Sequence, residues 1–246
     1  GTRNVGVGAS ALKTITTASY NTGVGNDVLG ANTTGASNTA VGDQALGANT
    51  TAANNVAVGQ AALAANTTGT QNVAIGALAL DANTTTHDNV AIGYAALTTA
   101  TIGSNTAVGS EAMQFTTTGS SNVGIGLQSL RANTTGASNT AVGASALLAN
   151  TTADDNVAIG LASLGVNTTG HSNTSVGTYS LDANTTANSN TAMGKYSLSS
   201  NTTGASNVAI GADALAANTT AANNVAVGYQ ALVANTTGTE NVAVGA

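Results

Sequence analysis

Apolar and polar positions recur along this chain with a period of seventeen residues. Each unit opens on Asn at position 1, then places a β-branched residue, a small residue and a second bulky apolar residue before Gly at position 5. Asn72-Val73-Ala74-Ile75-Gly76 is one copy. The opening Asn stands at Asn4, Asn21, Asn38, Asn55, Asn72 and Asn89, and after one sixteen-residue step it continues from Asn105 to Asn241. Alternation with period two predicts a short strand. A unit this small cannot bury its own apolar face, whereas stacked copies can. The pattern therefore predicts an all-β parallel solenoid of about fourteen coils, a single repeat array over residues 1–246. Val7, Val24, Val41, Val58 and Ile75 are expected to form one inner ladder, and Leu12, Leu29, Leu46, Leu63 and Leu80 a second.

The rest of the unit is less regular. In Gly42-Asp43-Gln44-Ala45-Leu46-Gly47-Ala48-Asn49 two readings fit: a second strand with Leu46 and Ala48 inward, or a single helical turn with its variable positions on one face. The return segment, as in Asn66-Thr67-Thr68-Gly69-Thr70-Gln71, is turn chemistry. Gly42, Gly59, Gly76 and their equivalents read as backbone requirements, either positive φ or close approach of a neighbouring coil, rather than a phosphate cradle. The opening asparagines are expected to pass hydrogen bonds from coil to coil. Eleven Asn-Thr-Thr triplets, from Asn32 to Asn235, match the N-glycosylation pattern. Glycans on such closely spaced rungs would collide, so a structural turn is the expected role, with at most sparse glycosylation.

Some coils depart from the pattern. Ala100-Thr101-Ile102 and Thr116-Thr117-Thr118 replace Asn-Thr-Thr, Glu111, Met113 and Phe115 appear nearby, and the first coil carries Ile15-Thr16-Thr17. These read either as drift in a tolerant array or as a bend or insertion point for a ligand. The alternation Gly136, Ala153, Gly170, Ala187, Gly204, Ala221, Gly238 marks duplication of units in pairs. Neither end of the chain carries a distinct capping sequence, which reads as a segment of a longer fibre or one whose ends meet partners.

Composition narrows the chemistry. Charged residues are 6% of the chain and aromatics 2%, with a net charge of −6 and no Pro, Cys or Trp. Four scattered cations, Arg3, Lys13, Arg131 and Lys195, do not make a nucleic-acid surface. No run of 18 apolar residues is present to insert into a membrane. His87 and His171 stand in return loops five coils apart, too far to share a metal on a rigid array. Asp88 and the pair Asp154-Asp155 offer too few oxygens for calcium, and no serine has a histidine base near it in the repeat. No catalytic site, metal or cofactor is expected. Tyr94, Tyr179, Tyr196 and Tyr229 fall at positions 6 and 7, where an outward ring could contact a sugar or a partner.

The motif Asn-Val-Ala-Ile-Gly at 72–76, 89–93, 156–160 and 207–211 resembles the head repeats of trimeric autotransporter adhesins. The longer pattern Asn224-Val225-Ala226-Val227-Gly228-Tyr229-Gln230-Ala231-Leu232, then Ala234-Asn235-Thr236-Thr237-Gly238, resembles repeat arrays of phage tail fibres and related bacterial surface proteins throughout the chain. The resemblance implies an extracellular fibre segment, structural or adhesive, on a virion or cell surface. It implies partners that are further copies of itself, as a trimer or an end-to-end polymer, or a cell-surface glycan or receptor. Two other readings remain open: a filament without ligand, and an ice- or crystal-binding surface presenting residues such as Asn66 and Thr68.

Overall fold

The computed structural model describes residues 1–245, and the backbone falls into two compact units, residues 1–121 and 122–245. Each is a β-solenoid. The first carries seven three-residue strands: β1 (Val5–Val7), β2 (Thr22–Val24), β3 (Thr39–Val41), β4 (Val56–Val58), β5 (Val73–Ile75), β6 (Val90–Ile92) and β7 (Thr106–Val108). The second carries eight: β8 (Val123–Ile125), β9 (Thr140–Val142), β10 (Val157–Ile159), β11 (Thr174–Val176), β12 (Thr191–Met193), β13 (Val208–Ile210), β14 (Val225–Val227) and β15 (Val242–Val244). Within each unit every strand pairs in parallel with the next. Residues one period apart face each other, as Thr39 with Val56, Ala40 with Ala57 and Val41 with Val58. The sixteen-residue step keeps this register, with Val90 opposite Thr106. No helix occurs among the described residues.

The strand has the expected alternation but the opposite orientation. Ala40, Ala57 and Ala74 are fully buried, whereas Val41 and Ile75 are each 37% exposed. Val7, Val24, Val41, Val58 and Ile75 therefore form an outward ladder, not an inner one. Packing against leucine decides this. A Cβ placed on Gly6 would lie 3.2 Å from Leu12 Cδ1, and one on Gly23 would lie 3.4 Å from Leu12 Cδ2. The inward strand position meets the leucine column at contact distance, and only Gly, Ala or Ser fits there.

The second element is neither a strand nor a helical turn. Ala45 N–H donates to Gly42 O (3.4 Å), Gly47 N–H to Gln44 O (3.0 Å) and Asn49 N–H to Leu46 O (3.1 Å), making three overlapping reverse turns. Gln44 and Leu46 sit at φ 58° and 51°, and their equivalents do the same in every coil. Both alternatives read from sequence need negative φ throughout. Left-handed backbone costs about 1–2 kcal/mol for a residue with a Cβ. Complete burial of a leucine side chain returns about 1.5–3 kcal/mol. Leu29, Leu46, Leu63 and Leu80 are all fully buried, which offsets much of that cost at the two left-handed positions of this segment in each coil. The turns also bond between coils, Leu46 N–H to Ala62 O (3.1 Å) and Ala48 N–H to Ala64 O (3.0 Å).

Gly42, Gly59 and Gly76 meet both requirements expected of them. Their φ values are 132°, 133° and 130°. A Cβ on Gly42 would lie 2.5 Å from Gly59 O, and one on Gly76 would lie 2.4 Å from Gly93 O.

The Gly/Ala alternation in the return loop has a mechanical meaning as well as a genetic one. A Cβ on Gly136 would lie 2.4 Å from Ala153 O, and one on Gly170 would lie 2.3 Å from Ala187 O. Loop hydrogen bonds alternate in step. Thr134 N–H reaches Thr151 O at 2.8 Å and Thr168 N–H reaches Thr185 O at 2.9 Å, while Thr151 to Thr168 and Thr185 to Thr202 both span 3.2 Å. Glycine lets its loop settle closer to the next coil, so the structural repeat is a pair of coils.

Candidate functional site

Building outward from the core shows which side chains are spent on the fold and which remain for contacts. Two asparagine columns are interior. In the first, Asn55 donates its backbone N–H (3.0 Å) and its Nδ2 (3.2 Å) to Asn38 Oδ1. Asn38 in turn donates from Nδ2 to Asn21 Oδ1 (3.1 Å) and Ala52 O (2.9 Å). Asn4, Asn21, Asn38, Asn55 and Asn72 are thus the coil-to-coil ladder read from sequence, with all but Asn4 fully buried.

The second column lies in the segment read as turn chemistry. Asn49 donates from Nδ2 to Asn32 Oδ1 (3.1 Å) and to Ala52 O (3.1 Å), so two buried amides converge on one carbonyl. Asn32, Asn49, Asn66, Asn83, Asn133, Asn150, Asn167, Asn184, Asn201 and Asn218 are fully buried, leaving only Asn235 of the eleven triplets partly accessible. Their amides are closed to glycosylation in the folded chain. Burial of Asn66 beside exposed Thr68 also removes the ranked Asn–Thr array of the ice-binding reading. The threonine after most of these Asn completes a third ladder, Thr33 Oγ1 donating to Thr50 O (3.1 Å) and Thr134 Oγ1 to Thr151 O (2.9 Å).

Candidate chemical groups are engaged locally. His87 Nδ1 accepts from Thr70 N–H (2.9 Å). His171 Nδ1 lies 3.2 Å from Ser172 Oγ. Asp154 Oδ1 accepts from Ala137 N–H (2.7 Å), so the Asp154-Asp155 pair is tied into the loop. Among the described residues no three His, Cys, Asp or Glu side chains gather as a metal site. Ser163 Oγ donates to Ser175 Oγ (2.7 Å), and Ser180 and Ser197 hydroxyls lie 3.0 Å apart, a buried chain of hydroxyls replacing core alanines.

Two carboxylates are at odds with their surroundings. Asp81 and Asp182, both at position 10, each bury Oδ1 without a hydrogen-bond partner. Desolvation raises both pKa values above the ordinary 3.8, with backbone N–H groups offsetting part of the effect.

Outward groups define two surfaces. The strand face presents only Thr or Val at position 2 and Val, Ile or Met at position 4, with no charge in either column. The turn face is variable. Tyr94 and Tyr229 point outward there, and Tyr179 stacks on Tyr196 with ring centroids 5.6 Å apart, Lys195 Nζ lying 4.9 Å from the Tyr196 ring. The four tyrosines are therefore on one kind of surface, but only Tyr179 and Tyr196 are brought together.

Sequence reading missed the second asparagine column and the left-handed turns. A signal for the turns was present: positions 7, 9 and 17 never hold Val, Ile or Thr in a chain rich in all three. Those are the positions at positive φ, where β-branched side chains are most strained. No protein-family model matches the chain and no curated protein is significantly similar to it, so the surfaces of the solenoid carry the functional reading.

Proposed function

We propose that this chain is a structural and adhesive segment of an extracellular fibre, of the tail-fibre or cell-surface-filament kind, which assembles with copies of itself through the strand face. The observation that carries this reading is the pair of uncharged outward columns. Regular outward columns, Val, Ile or Met at position 4 beside Val or Thr at position 2, mark an interaction surface. A partner built on the same rung spacing matches them best, and another copy supplies that spacing. The interior supports a mechanical role, since within each unit most coils are bonded to their neighbours through strand, turn and side-chain ladders. Repetition turns weak contacts into avidity without a single strong site.

Sedimentation at micromolar protein tests the assembly. A discrete oligomer or an end-to-end polymer is expected, and Ile75→Lys with Ile159→Lys should return it to monomer with unchanged circular dichroism. A stable monomer of the unaltered chain would overturn the reading.

A further inference from the structure

The sixteen-residue coil Asn89–Ser104 leaves a depression of about 430 Å3 in the return-loop face of the first unit, lined by His87, Asp88, Ile102, Ser104, Ser120 and Ser121 among others. We infer that it is a binding site for a neutral hexopyranose, in which Ile102 supplies the apolar contact and the surrounding polar groups read the sugar hydroxyls. Position 14 holds Thr in every coil except this one, where Ile102 stands 41% exposed. Drift in a polar surface column does not favour an exposed isoleucine, whereas a ligand with a C–H face does. The rim has the complementary chemistry. Asp88 is exposed and its carboxylate can accept from vicinal hydroxyls. His87 Nδ1 is taken by the Thr70 N–H, which places its proton on Nε2 as a donor. Three serine hydroxyls both donate and accept. Asp88 without a Lys or Arg in the lining disfavours an anionic sugar. The volume lies within the range of small-molecule sites, about 300–1,000 Å3.

Assembly is not required for this site, so the two proposals fail separately. The full-length chain, labelled with 15N, is titrated with a panel of neutral and acidic mono- and disaccharides. Saturable shifts of the His87, Asp88, Ser104 and Ser121 amides with a neutral member are expected. Ile102→Thr restores the residue of the other coils and should keep the fold while weakening binding at least about tenfold; Asp88→Asn should weaken it comparably. The proposal is overturned if no neutral sugar shifts those amides, if an acidic sugar binds as well, or if Ile102→Thr binds unchanged.

Discussion

At the scale of single residues, backbone conformation selects side chains as strongly as burial does. Position 9 holds only Leu or Met, although Val and Ile abound in the chain. Leu63 is fully buried at φ 54°. In an ordinary core, Leu→Met or Leu→Ile costs less than about 1.5 kcal/mol after repacking. Here Leu63→Met should stay within that limit. Leu63→Ile should cost a further 1–3 kcal/mol, roughly, because a β-branched side chain is held in a left-handed backbone. Denaturant titration of the two variants separates them, and equal costs would remove the role assigned to φ. Asp81 and Asp182 make a second residue-scale prediction. Their pKa values are raised on folding, so ionisation is penalised in the folded state. The penalty is absent where both states are protonated, grows as pH rises through the carboxylate range, and is complete above the raised values. Asp81→Asn with Asp182→Asn should therefore melt higher than the parent at neutral pH, with the gain vanishing in acid.

At the scale of the element, the coil is held by ladders whose members depend on those above and below. Asn150 donates to Asn133 Oδ1 (2.9 Å) and Ala153 O (3.1 Å), and accepts from Asn167 Nδ2 (3.2 Å). Asn150→Ala leaves buried groups unpaired on both sides and should cost about 1–3 kcal/mol. Asn150→Asp should cost more, because it replaces a donor with a buried charge. Calorimetric melts at neutral pH order the three proteins. The paired-coil period predicts an asymmetry that a simple seventeen-residue repeat does not. Gly170→Ala should destabilise although Ala153 and Ala187 occupy the same position one coil away, because its Cβ meets Ala187 O. A melt unchanged by Gly170→Ala would show that the two-coil spacing is incidental.

At the scale of the molecule, the chain places amide columns inside, beside buried Leu and Ala, and leaves Val, Ile and Met of the strand face outside. That arrangement follows from close coil spacing. Amide columns satisfy one another from coil to coil, and the narrow space beside the leucines admits only small residues. One consequence is readable in a glycosylating host: mass spectrometry of the folded, secreted chain should find no glycan on the ten buried Asn-Thr-Thr triplets, with Asn235 the only accessible one. Glycans found on several buried sites would contradict the interior placement of that column.

The amino-acid sequence alone determined the period, the parallel in-phase pairing, the leucine ladder and the glycine corners. Repetition forces equivalent residues into equivalent places, and no other arrangement buries every copy at once. Strand alternation established that two faces differ, but not which one turns inward. That was decided in three dimensions, where leucines from the turn segment fill the interior and leave room only for Gly, Ala or Ser opposite them. The same crowding drew the Asn of Asn-Thr-Thr inside, where its amide shares a carbonyl with the other asparagine column. Neither placement is legible from one unit, because each depends on side chains contributed by the coils above and below.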